Sequence, residues 1–341
     1  MKTATTAPIF IVGTPRSGTT LVARILGKHP NIFMPGETHF FFDIHAKRKQ
    51  YGDLASDIVA RKAVTERLLS IYRRYNEPND QLRVDRMTDT TDFAEQLINA
   101  CRSYEEIFSK FMQLQMLSEG KRRWGNNAPK DIFYIDEILT FYPDAKIIVC
   151  ARDIRDFLDS YKNKWKATVS DQEQRIKKLY HPIVTSLLWK ASMRTVLSIQ
   201  IKVAKDNIML IPYEKLVTET EYTVKKLCDM INEKYQPDML NIDFSNSSDK
   251  KNQSGVYASS VGKWVQRLSP EEAWLAQKIA KREMQQWGYQ AEKLKINPVK
   301  LTGLLLSMPF SMRRALLANK QNTGPVLPYL TRRISSLMSR S

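Results

Sequence analysis

Cysteine and histidine are scarce in this sequence, and their scarcity limits the kinds of site it can build. The 341 residues include three cysteines and four histidines. Cys101, Cys150 and Cys228 are widely spaced and odd in number, which predicts neither a disulfide framework nor a zinc site. The histidines lack metal-ligand spacing, and no carboxylate cluster stands where a magnesium site would require it. We therefore expect a protein of the reducing cytosol without a bound metal.

Long apolar runs are also missing from the sequence. None reaches the roughly 18 consecutive residues that are needed to span a bilayer. The N-terminal segment carries one lysine and then a short apolar run that leads directly into a glycine-containing loop. This differs from the apolar core of a secretory signal. Both observations favour a cytoplasmic protein.

Acidic residues are in deficit, and the deficit is greatest near the C-terminal end. Lys and Arg number 53 against 36 Asp and Glu, which gives a net charge of +17. Residues 295–341 contain eight basic residues and no acidic one. A basic excess favours a polyanionic partner: a phosphorylated cofactor, a nucleic acid or an anionic membrane surface. The uneven distribution predicts a domain over residues 1–290 and a basic amphipathic tail over residues 291–341.

What the sequence does contain is an alternation of apolar strands and amphipathic helices. Such alternation predicts an α/β fold of three layers, P-loop-like, with a central parallel sheet flanked by helices. Ligands of such sheets bind beyond the carboxyl ends of the strands. The predicted strands are 8–13, 146–151 and 207–212, the helices are 17–28, 53–74, 93–118, 132–142, 153–165, 174–205 and 270–287, and the loops include 124–129 and 245–253.

The segment after the first strand has the composition of a phosphate-binding loop. Gly13 and Gly18 have the spacing of an NTPase P-loop, but Thr19 stands where such loops carry a lysine. Arg16 lies inside the loop and offers a planar fork for phosphate or sulfate oxygens. Backbone N–H groups at the start of the following helix would point at an anion. The candidate anion-binding residues are therefore Arg16, Ser17, Gly18, Thr19 and Thr20; the alternative is a tight turn with a surface arginine.

A second group of donors follows the strand at 146–151. Arg152 ends that strand, and Ser160 and Lys164 lie on the same face of the next helix. The alternative is that Asp153 caps a helix with an ordinary charged surface. Two anion sites on neighbouring strand ends would suit a nucleotide that is phosphorylated at two separate positions.

A carboxylate and an imidazole lie among aromatic residues shortly after the loop and its helix. Glu37 and His39 belong to the segment Pro-Gly-Glu-Thr-His-Phe-Phe at 35–41. If this segment folds back toward the loop, Glu37 is the candidate general base. The alternative is a solvated glutamate beside a packed aromatic cluster. His39 is predicted to have a structural or substrate-contacting role.

Together these motifs resemble those of the sulfotransferase superfamily, whose members use 3′-phosphoadenosine 5′-phosphosulfate (PAPS). Strand–PRSGTT–helix is similar to the superfamily's 5′-phosphosulfate loop, and strand–RDxRDxxxS is similar to its 3′-phosphate motif. The distances between elements are most similar to those of the bacterial and tyrosylprotein sulfotransferases. The resemblance covers residues 8 to about 289.

The resemblance assigns roles to individual residues of this sequence. It implies that Glu37 is the catalytic glutamate. It also implies that Arg152, Ser160 and Lys164 contact the 3′-phosphate. Tyr213 in Pro-Tyr-Glu-Lys-Leu and Lys263 in Val-Gly-Lys-Trp match further cofactor contacts.

One segment departs from the pattern of the relatives. They commonly read Trp-Gly-x-Lys-[Thr/Ser]-Pro, in which the lysine assists the leaving group. This sequence has Asn127 at the lysine position and Ala128 after it. Lys130 is the candidate replacement; the alternatives are that Arg16 acts alone or that activity is weak.

The predicted reaction is transfer of a sulfuryl group from PAPS to a hydroxyl or amine of a carbohydrate, lipid or other small acceptor. Glu37, Arg16 and Lys130 are the predicted catalytic residues. One alternative is a P-loop nucleotide kinase or NTPase, which the missing lysine and magnesium carboxylate disfavour.

The other alternative is a non-catalytic protein that binds membranes or nucleic acid. No helix-turn-helix, zinc or RNA-binding motif is present, so we expect no nucleic-acid partner. Residues 295–341 have two open interpretations: peripheral contact with an anionic membrane surface, or a helix packed on the domain.

Overall fold

A parallel sheet with strand order β2-β3-β1-β4-β5 forms the centre of the computed structural model. The residues that the structure describes are 7–75, 91–163, 177–243 and 254–323. The sheet confirms the predicted α/β class. Its strands are β1 (Ile9–Gly13), β2 (Ile32–Phe33), β3 (Arg123–Asn127), β4 (Lys146–Ala151) and β5 (Ile208–Pro212).

Helices cover both faces of the sheet. Those in the N-terminal half are α1 (Thr19–Gly27), α2 (Arg48–Tyr51), α3 (Ile58–Tyr75), α4 (Thr91–Ala100), α5 (Tyr104–Ser118), α6 (Ile135–Phe141) and α7 (Ile154–Lys162). The remaining ones are α8 (Pro182–Lys202), α9 (Tyr213–Thr218), α10 (Thr220–Met230), α11 (Trp264–Arg267), α12 (Pro270–Ile279), α13 (Lys281–Gln286) and α14 (Pro298–Thr323). A π-helical turn covers Phe40–Ile44, and 3-10 turns cover His45–Lys47, Pro129–Tyr134, Lys205–Asn207 and Pro237–Leu240.

The prediction that residues 124–129 form a loop is wrong, because most of them belong to β3. This strand reads Arg-Trp-Gly-Asn-Asn, which is a loop-like composition, yet every residue of it is buried. Several of its polar groups find partners inside the fold: the Arg123 side chain donates to the carbonyls of Ala7 (2.7 Å) and Ile231. The short strand β2 also went unpredicted, since two residues carry no periodicity.

Two long predicted helices are each divided in two. The helix predicted at 93–118 breaks after Ala100, and Ser103 then caps α5 by accepting a hydrogen bond from the Glu106 amide (3.1 Å). The helix predicted at 270–287 breaks at Ala280, where the backbone leaves helical geometry. The helix predicted from residue 17 begins at Thr19, because Gly18 has left-handed geometry. The loop predicted at 245–253 lies outside the described residues.

Two apolar cores lie on opposite faces of the sheet, as a three-layer fold requires. Within β1, Phe10 and Val12 face the larger core and Ile9 and Ile11 face the smaller one. Because successive strand side chains point to opposite faces, a strand that is buried on both faces is continuously apolar. The continuous apolar sequences of β1 and β4 are therefore sufficient to predict these two strands.

The strand register brings several loops to one edge of the sheet. Gly13, the last residue of β1, pairs with Cys150 of β4, and Cys150 pairs in turn with Ile211 of β5. The strands are parallel, so the segments that follow them leave at the same level. The glycine loop, Arg152 and Tyr213 therefore lie together at the carboxyl edge.

The C-terminal part of the described chain is a helix that packs on α8. In α14 the Ser307 hydroxyl lies 3.2 Å from Nε2 of His181, the residue that precedes α8. None of the helices that the structure describes is long and apolar enough to span a membrane. The division of the chain near residue 290 stays a prediction.

Candidate functional site

The loop between β1 and α1 is held in shape by close backbone contacts. A Cβ added to Gly13 would lie 2.2 Å from the Cys150 carbonyl oxygen, and one added to Gly18 would lie 2.7 Å from the Tyr213 ring. Gly18 has φ 90° and Arg16 has φ 72°, both in the left-handed region. The loop therefore requires glycine at both ends, and it accepts a strained backbone at the arginine between them.

Inside the loop, Ser17 has a structural contact that the sequence did not predict. Its amide donates to the Thr14 carbonyl (3.3 Å), and its buried hydroxyl bonds to that of Thr14. The Ser17 amide is thus engaged within the loop, and its predicted contact with an anion stays a prediction. The next amides, of Thr19 and Thr20, make no backbone hydrogen bond within the described residues. They open α1, whose first turn contains no acidic residue and whose N-cap, Gly18, has no side chain.

Arg16 connects this loop to the helix that follows β4. Its Nε donates to the Ser160 hydroxyl at 3.2 Å. Its carbonyl accepts a hydrogen bond from Nη1 of Arg152 at 3.5 Å. The pKa of Arg16 is lowered, first because the surrounding loop removes water and then because Arg152 adds a second positive charge. The sequence placed Arg16 and Arg152 in two separate motifs, and the structure brings them into one site.

Arg152 is held from several sides at the carboxyl edge. Its guanidinium carbon lies 4.5 Å from the centroid of the Tyr213 ring, and its Nη2 donates to the Ser260 carbonyl at 2.6 Å. The Tyr213 hydroxyl lies 2.7 Å from the Ser260 hydroxyl. The remaining donor, Arg152 Nε, is buried and has no hydrogen-bond partner within the described part of the chain. A buried cationic donor without an acceptor is costly unless a ligand completes it.

Two residues that the sequence analysis did not single out fix the backbone at Arg152. The Trp189 indole donates to the Arg152 carbonyl (2.9 Å), and the Glu214 carboxylate accepts from the next amide, that of Asp153 (2.9 Å). The Tyr289 hydroxyl donates to the same carboxylate (2.8 Å). Glu214 lies beside Tyr213 in the Pro-Tyr-Glu-Lys-Leu segment, but its contact with Asp153 could not be predicted, because α8, α9 and the segment after α13 meet only in the folded chain.

Asp156 anchors the segment that carries Lys263. Its carboxylate accepts hydrogen bonds from the amides of Gly262 (2.7 Å) and Trp264 (3.1 Å). Lys263 is thereby held near Arg152. Its pKa is lowered by partial burial and by neighbouring positive charges, of which Arg267 has the largest effect.

The predictions for the two ends of α7 have different outcomes. Asp153 caps α7 by accepting a hydrogen bond from the Arg155 amide (2.8 Å), as the structural alternative predicted. Ser160 reaches Arg16 and so belongs to the site. Lys164 lies outside the described residues.

Glu37 and His39 form a pair beyond the carboxyl ends of β2 and β3. His39 Nε2 lies 2.9 Å from Glu37 Oε2, and the Glu37 side chain keeps 28% exposure. His39 has φ 49°, a left-handed geometry that is uncommon for a residue other than glycine. Between them, the Thr38 hydroxyl donates to Asn126 Oδ1 at 2.8 Å, which ties the segment to β3. The segment does fold back onto the sheet edge, and the histidine contacts the carboxylate directly.

Behind this pair lies Asp131, a carboxyl group that the sequence analysis missed. It is fully buried and accepts a hydrogen bond from Asn126 Nδ2 at 3.2 Å. Burial raises its pKa well above the usual range, and the nearby Glu37 charge raises it further. Its other oxygen has no hydrogen-bond partner among the described residues. It lies in a 3-10 turn where no periodicity predicts which side chain faces inward.

Asn127 is the last residue of β3, and Lys130 lies in the 3-10 turn that follows this strand. Asn127 is buried beside β1, where it pairs with Ile11, and its Oδ1 has no partner within the described residues. Lys130 Nζ lies 4.3 Å from the centroid of the Phe42 ring. Lys130 and Glu37 are both close enough to Asp131 to affect its pKa. Lys130 therefore lies on the Glu37 side of the site, and its catalytic role stays a prediction.

Comparisons with known proteins found two curated sequences that are similar to parts of this chain. A sequence from Aquifex aeolicus (strain VF5), called an uncharacterized protein, is 23% identical over 271 residues. The nodulation protein NoeE of Sinorhizobium fredii (strain NBRC 101917 / NGR234) is 26% identical over 157 residues. These alignments cover 75% and 46% of this chain but only 30% and 31% of the two relatives.

The fold is shared with a solved structure. The sulfotransferase domain from the Synechococcus PCC 7002 olefin synthase superposes with a TM-score of 0.54 and 17% identity, covering 86% of this chain and 99% of that domain. A family model described as the sulfotransferase family matches residues 8–237, which include the glycine loop, Glu37, Arg152 and Tyr213. The chain belongs to the sulfotransferase family.

Proposed function

We propose that this protein transfers a sulfuryl group from PAPS to a hydroxyl or amine of a carbohydrate, lipid or other small acceptor. The observation that carries the proposal is the joining of Arg16 and Arg152 in one site, with a carboxylate segment at the same edge of the sheet. A nucleotide with phosphate groups on both the 3′ and 5′ positions needs two such cationic groups close together.

The residues present fit such a nucleotide. The amides of Thr19 and Thr20 open a helix with no acidic residue in its first turn, which suits the 5′-phosphosulfate. Arg152 has a buried Nε without an acceptor, Lys263 lies near it, and Ser160 contacts the adjoining Arg16, which suits the 3′-phosphate. Gly18 leaves room beside the Tyr213 ring that any larger residue would fill.

Bound in this site, PAPS supplies the sulfuryl group, and the rest of the chemistry belongs to the side chains. Glu37 accepts the proton of the acceptor hydroxyl while the acceptor oxygen forms its bond to sulfur. The sulfur–oxygen bond that breaks would leave its electron pair on the departing phosphate. Arg16 and the amides of Thr19 and Thr20 donate hydrogen bonds to the phosphate that carries it.

His39 supports the general base Glu37, and Lys130 is proposed to assist the leaving group. His39 Nε2 lies 2.9 Å from one Glu37 oxygen, and in this proposal the other oxygen accepts the proton of the acceptor. Lys130 lies on the same side of the site, where it adds positive charge close to the reacting groups. We assign it the part of the lysine that is absent at Asn127.

The test combines binding with transfer. We expect titration calorimetry to show binding of adenosine 3′,5′-bisphosphate, and labelled PAPS to modify at least one member of a panel of sugars, lipids and phenols. Arg152→Gln removes the guanidinium and should weaken bisphosphate binding by roughly 10- to 100-fold, because a charged hydrogen-bonding group contributes about 1.5–3 kcal/mol. Arg282→Gln, at an exposed position of α13, is the matched control. ATP hydrolysis without bisphosphate binding would instead support the NTPase alternative.

A further inference from the structure

The last described helix, α14, presents two different faces. One face packs against the rest of the protein: Ser307 contacts His181, and Ser311 is buried. The opposite face carries four large apolar residues with exposed fractions of 80%, 70%, 78% and 65%, namely Val299, Leu306, Phe310 and Leu317. Their spacing of seven, four and seven positions places them in a single stripe along the helix.

The stripe cannot turn inward, because the inner face is already in use. The His181 contact and the burial of Ser311 fix the rotation of α14 against α8. Each exposed side chain of this size forgoes the favourable transfer of its apolar surface out of water. A continuous exposed apolar stripe on a fixed helix marks a surface that meets an apolar phase or partner.

Basic groups flank the same stripe. Arg313 and Arg314 are exposed, and together with Lys178, Phe310 and Leu317 they line a cavity of about 310 Å³. The segment 295–341 has no acidic residue that could neutralise them. Apolar side chains beside arginines provide contacts for an acyl chain and for the anionic headgroup attached to it.

We propose that the outer face of α14 docks this protein onto an anionic lipid surface. Charge complementarity selects this occupant over a second copy of the chain, since two such faces in contact would bring Arg313, Arg314 and Lys178 of each molecule together. The contact is peripheral, with Leu306 and Phe310 inserted among the acyl chains and the arginines at the phosphates. This inference does not depend on the proposed transferase activity.

The experiment measures sedimentation of the full-length protein with two kinds of vesicle. One kind contains phosphatidylcholine alone and the other contains about 30% phosphatidylglycerol, a fraction chosen to give a strongly negative surface. We expect binding to the anionic vesicles to be at least tenfold tighter, and to weaken as salt is raised to about 0.5 M, since salt screens surface charge.

Two pairs of substitutions separate the apolar and the charged contributions. Leu306→Ser with Phe310→Ser should lower vesicle affinity at least tenfold, because two inserted side chains are lost. Arg313→Gln with Arg314→Gln should lower it roughly 30-fold on anionic vesicles only, at about 1 kcal/mol per basic residue. The control pair is Val59→Ser with Tyr222→Ser, at similarly exposed positions outside α14; it should bind like the unchanged protein. Circular dichroism verifies that each variant is folded.

Four outcomes would overturn the proposal. The first is an absence of binding by the unchanged protein to either vesicle, and the second is unchanged binding of both α14 pairs. The third is self-association in sedimentation velocity that Leu306→Ser with Phe310→Ser abolishes, which would identify a second copy as the occupant. Competition by 10 mM inorganic phosphate, about the level at which weak anion sites fill, would indicate a site for a free anion instead of a lipid surface.

Discussion

At the residue scale, the site depends on a few side chains whose neighbours set their chemistry. The Glu37 carboxylate is held by His39, and Asp131 is buried behind both. The sequence identified Glu37 through its resemblance to a family motif. The sequence does not predict the positions of His39 and Asp131, because His39 contacts Glu37 through a left-handed backbone and Asp131 is held by Asn126, a residue of β3.

The first prediction concerns Glu37 itself. Replacing it with Gln removes the proton acceptor while keeping the shape of the side chain. We expect turnover to fall by about 100- to 10,000-fold, which is the usual contribution of general acid–base catalysis. Affinity for adenosine 3′,5′-bisphosphate should stay within about twofold, because Glu37 does not bind the nucleotide in the proposed mechanism.

Steady-state kinetics and calorimetry measure the two quantities separately. Glu66→Gln, at an exposed position of α3, is the control and should leave both unchanged. Normal turnover by the Glu37 variant would show that another group accepts the proton.

The second prediction follows from the buried carboxyl of Asp131. Its pKa in the folded protein is raised, so the folded state holds this proton more tightly than the unfolded state does. The unfolded pKa is about 3.9. Above that pH the unfolded chain releases the proton first, and the free energy of unfolding of the unchanged protein falls as pH rises toward the folded pKa. Asp131→Asn removes the ionisable carboxyl group and with it this pH-dependent contribution to the free energy of unfolding.

The stability difference between the variant and the unchanged protein should therefore move in favour of the variant as pH increases from about 4.5 to 7.5, a window that begins just above the unfolded pKa. Urea unfolding at several pH values measures it. Asp136→Asn, at an exposed position of α6, should give a profile parallel to that of the unchanged protein. Parallel profiles for Asp131→Asn as well would contradict the assigned shift.

At the element scale, the strands divide into those that support the sheet and those that serve the site. β1 and β4 are apolar on both faces and were predicted from the sequence, because burial on both faces demands it. β3 was missed, because its Asn126 binds Thr38 and Asp131 instead of packing in an apolar core. The polar side chains of β3 give it the composition of a loop. Its pairing with β1 and β2 in the folded chain shows that it is a strand.

The third prediction tests the junction between β1 and the glycine loop. Gly13→Ala places a Cβ 2.2 Å from the Cys150 carbonyl oxygen, at a backbone φ of 150°. The obstacle is backbone in the middle of the sheet and cannot rotate away. We expect a loss of about 2–4 kcal/mol in the free energy of unfolding, from overpacking and backbone strain together.

Gly303→Ala provides the matched control, because an added Cβ there meets nothing within 4 Å and the position is inside α14. It should be neutral or stabilising by up to about 1 kcal/mol. Chemical denaturation compares the two variants. Equal effects would mean that the Gly13 contact relaxes without cost.

At the scale of the whole molecule, the site draws residues from almost the full length of the described chain. Arg16 follows β1, Arg152 follows β4, and Ser260 belongs to a segment that Asp156 anchors. A ligand held by all of them is bound by the folded sheet and by no single segment. Binding should therefore stabilise the protein against global unfolding.

The fourth prediction uses this linkage to identify the nucleotide. Adenosine 3′,5′-bisphosphate at 100 times its dissociation constant should raise the free energy of unfolding by about 2.7 kcal/mol. ATP at the same concentration lacks the 3′-phosphate and should give a smaller rise. Thermal melting followed by fluorescence measures both. An equal or larger shift with ATP would favour an ordinary nucleotide-binding site.

One feature of the backbone bears on how this site meets its ligand. Three residues other than glycine have a left-handed backbone in the described chain, and two of them, Arg16 and His39, lie in the two segments of the proposed site. Left-handed conformations are strained for residues other than glycine, and they persist only where the surrounding structure stabilises them. The backbone of the proposed site at Arg16 and His39 is therefore already formed by the fold itself. If the proposed function is right, an incoming nucleotide would meet segments whose backbone is already in place, and little of its affinity would be spent on ordering the protein.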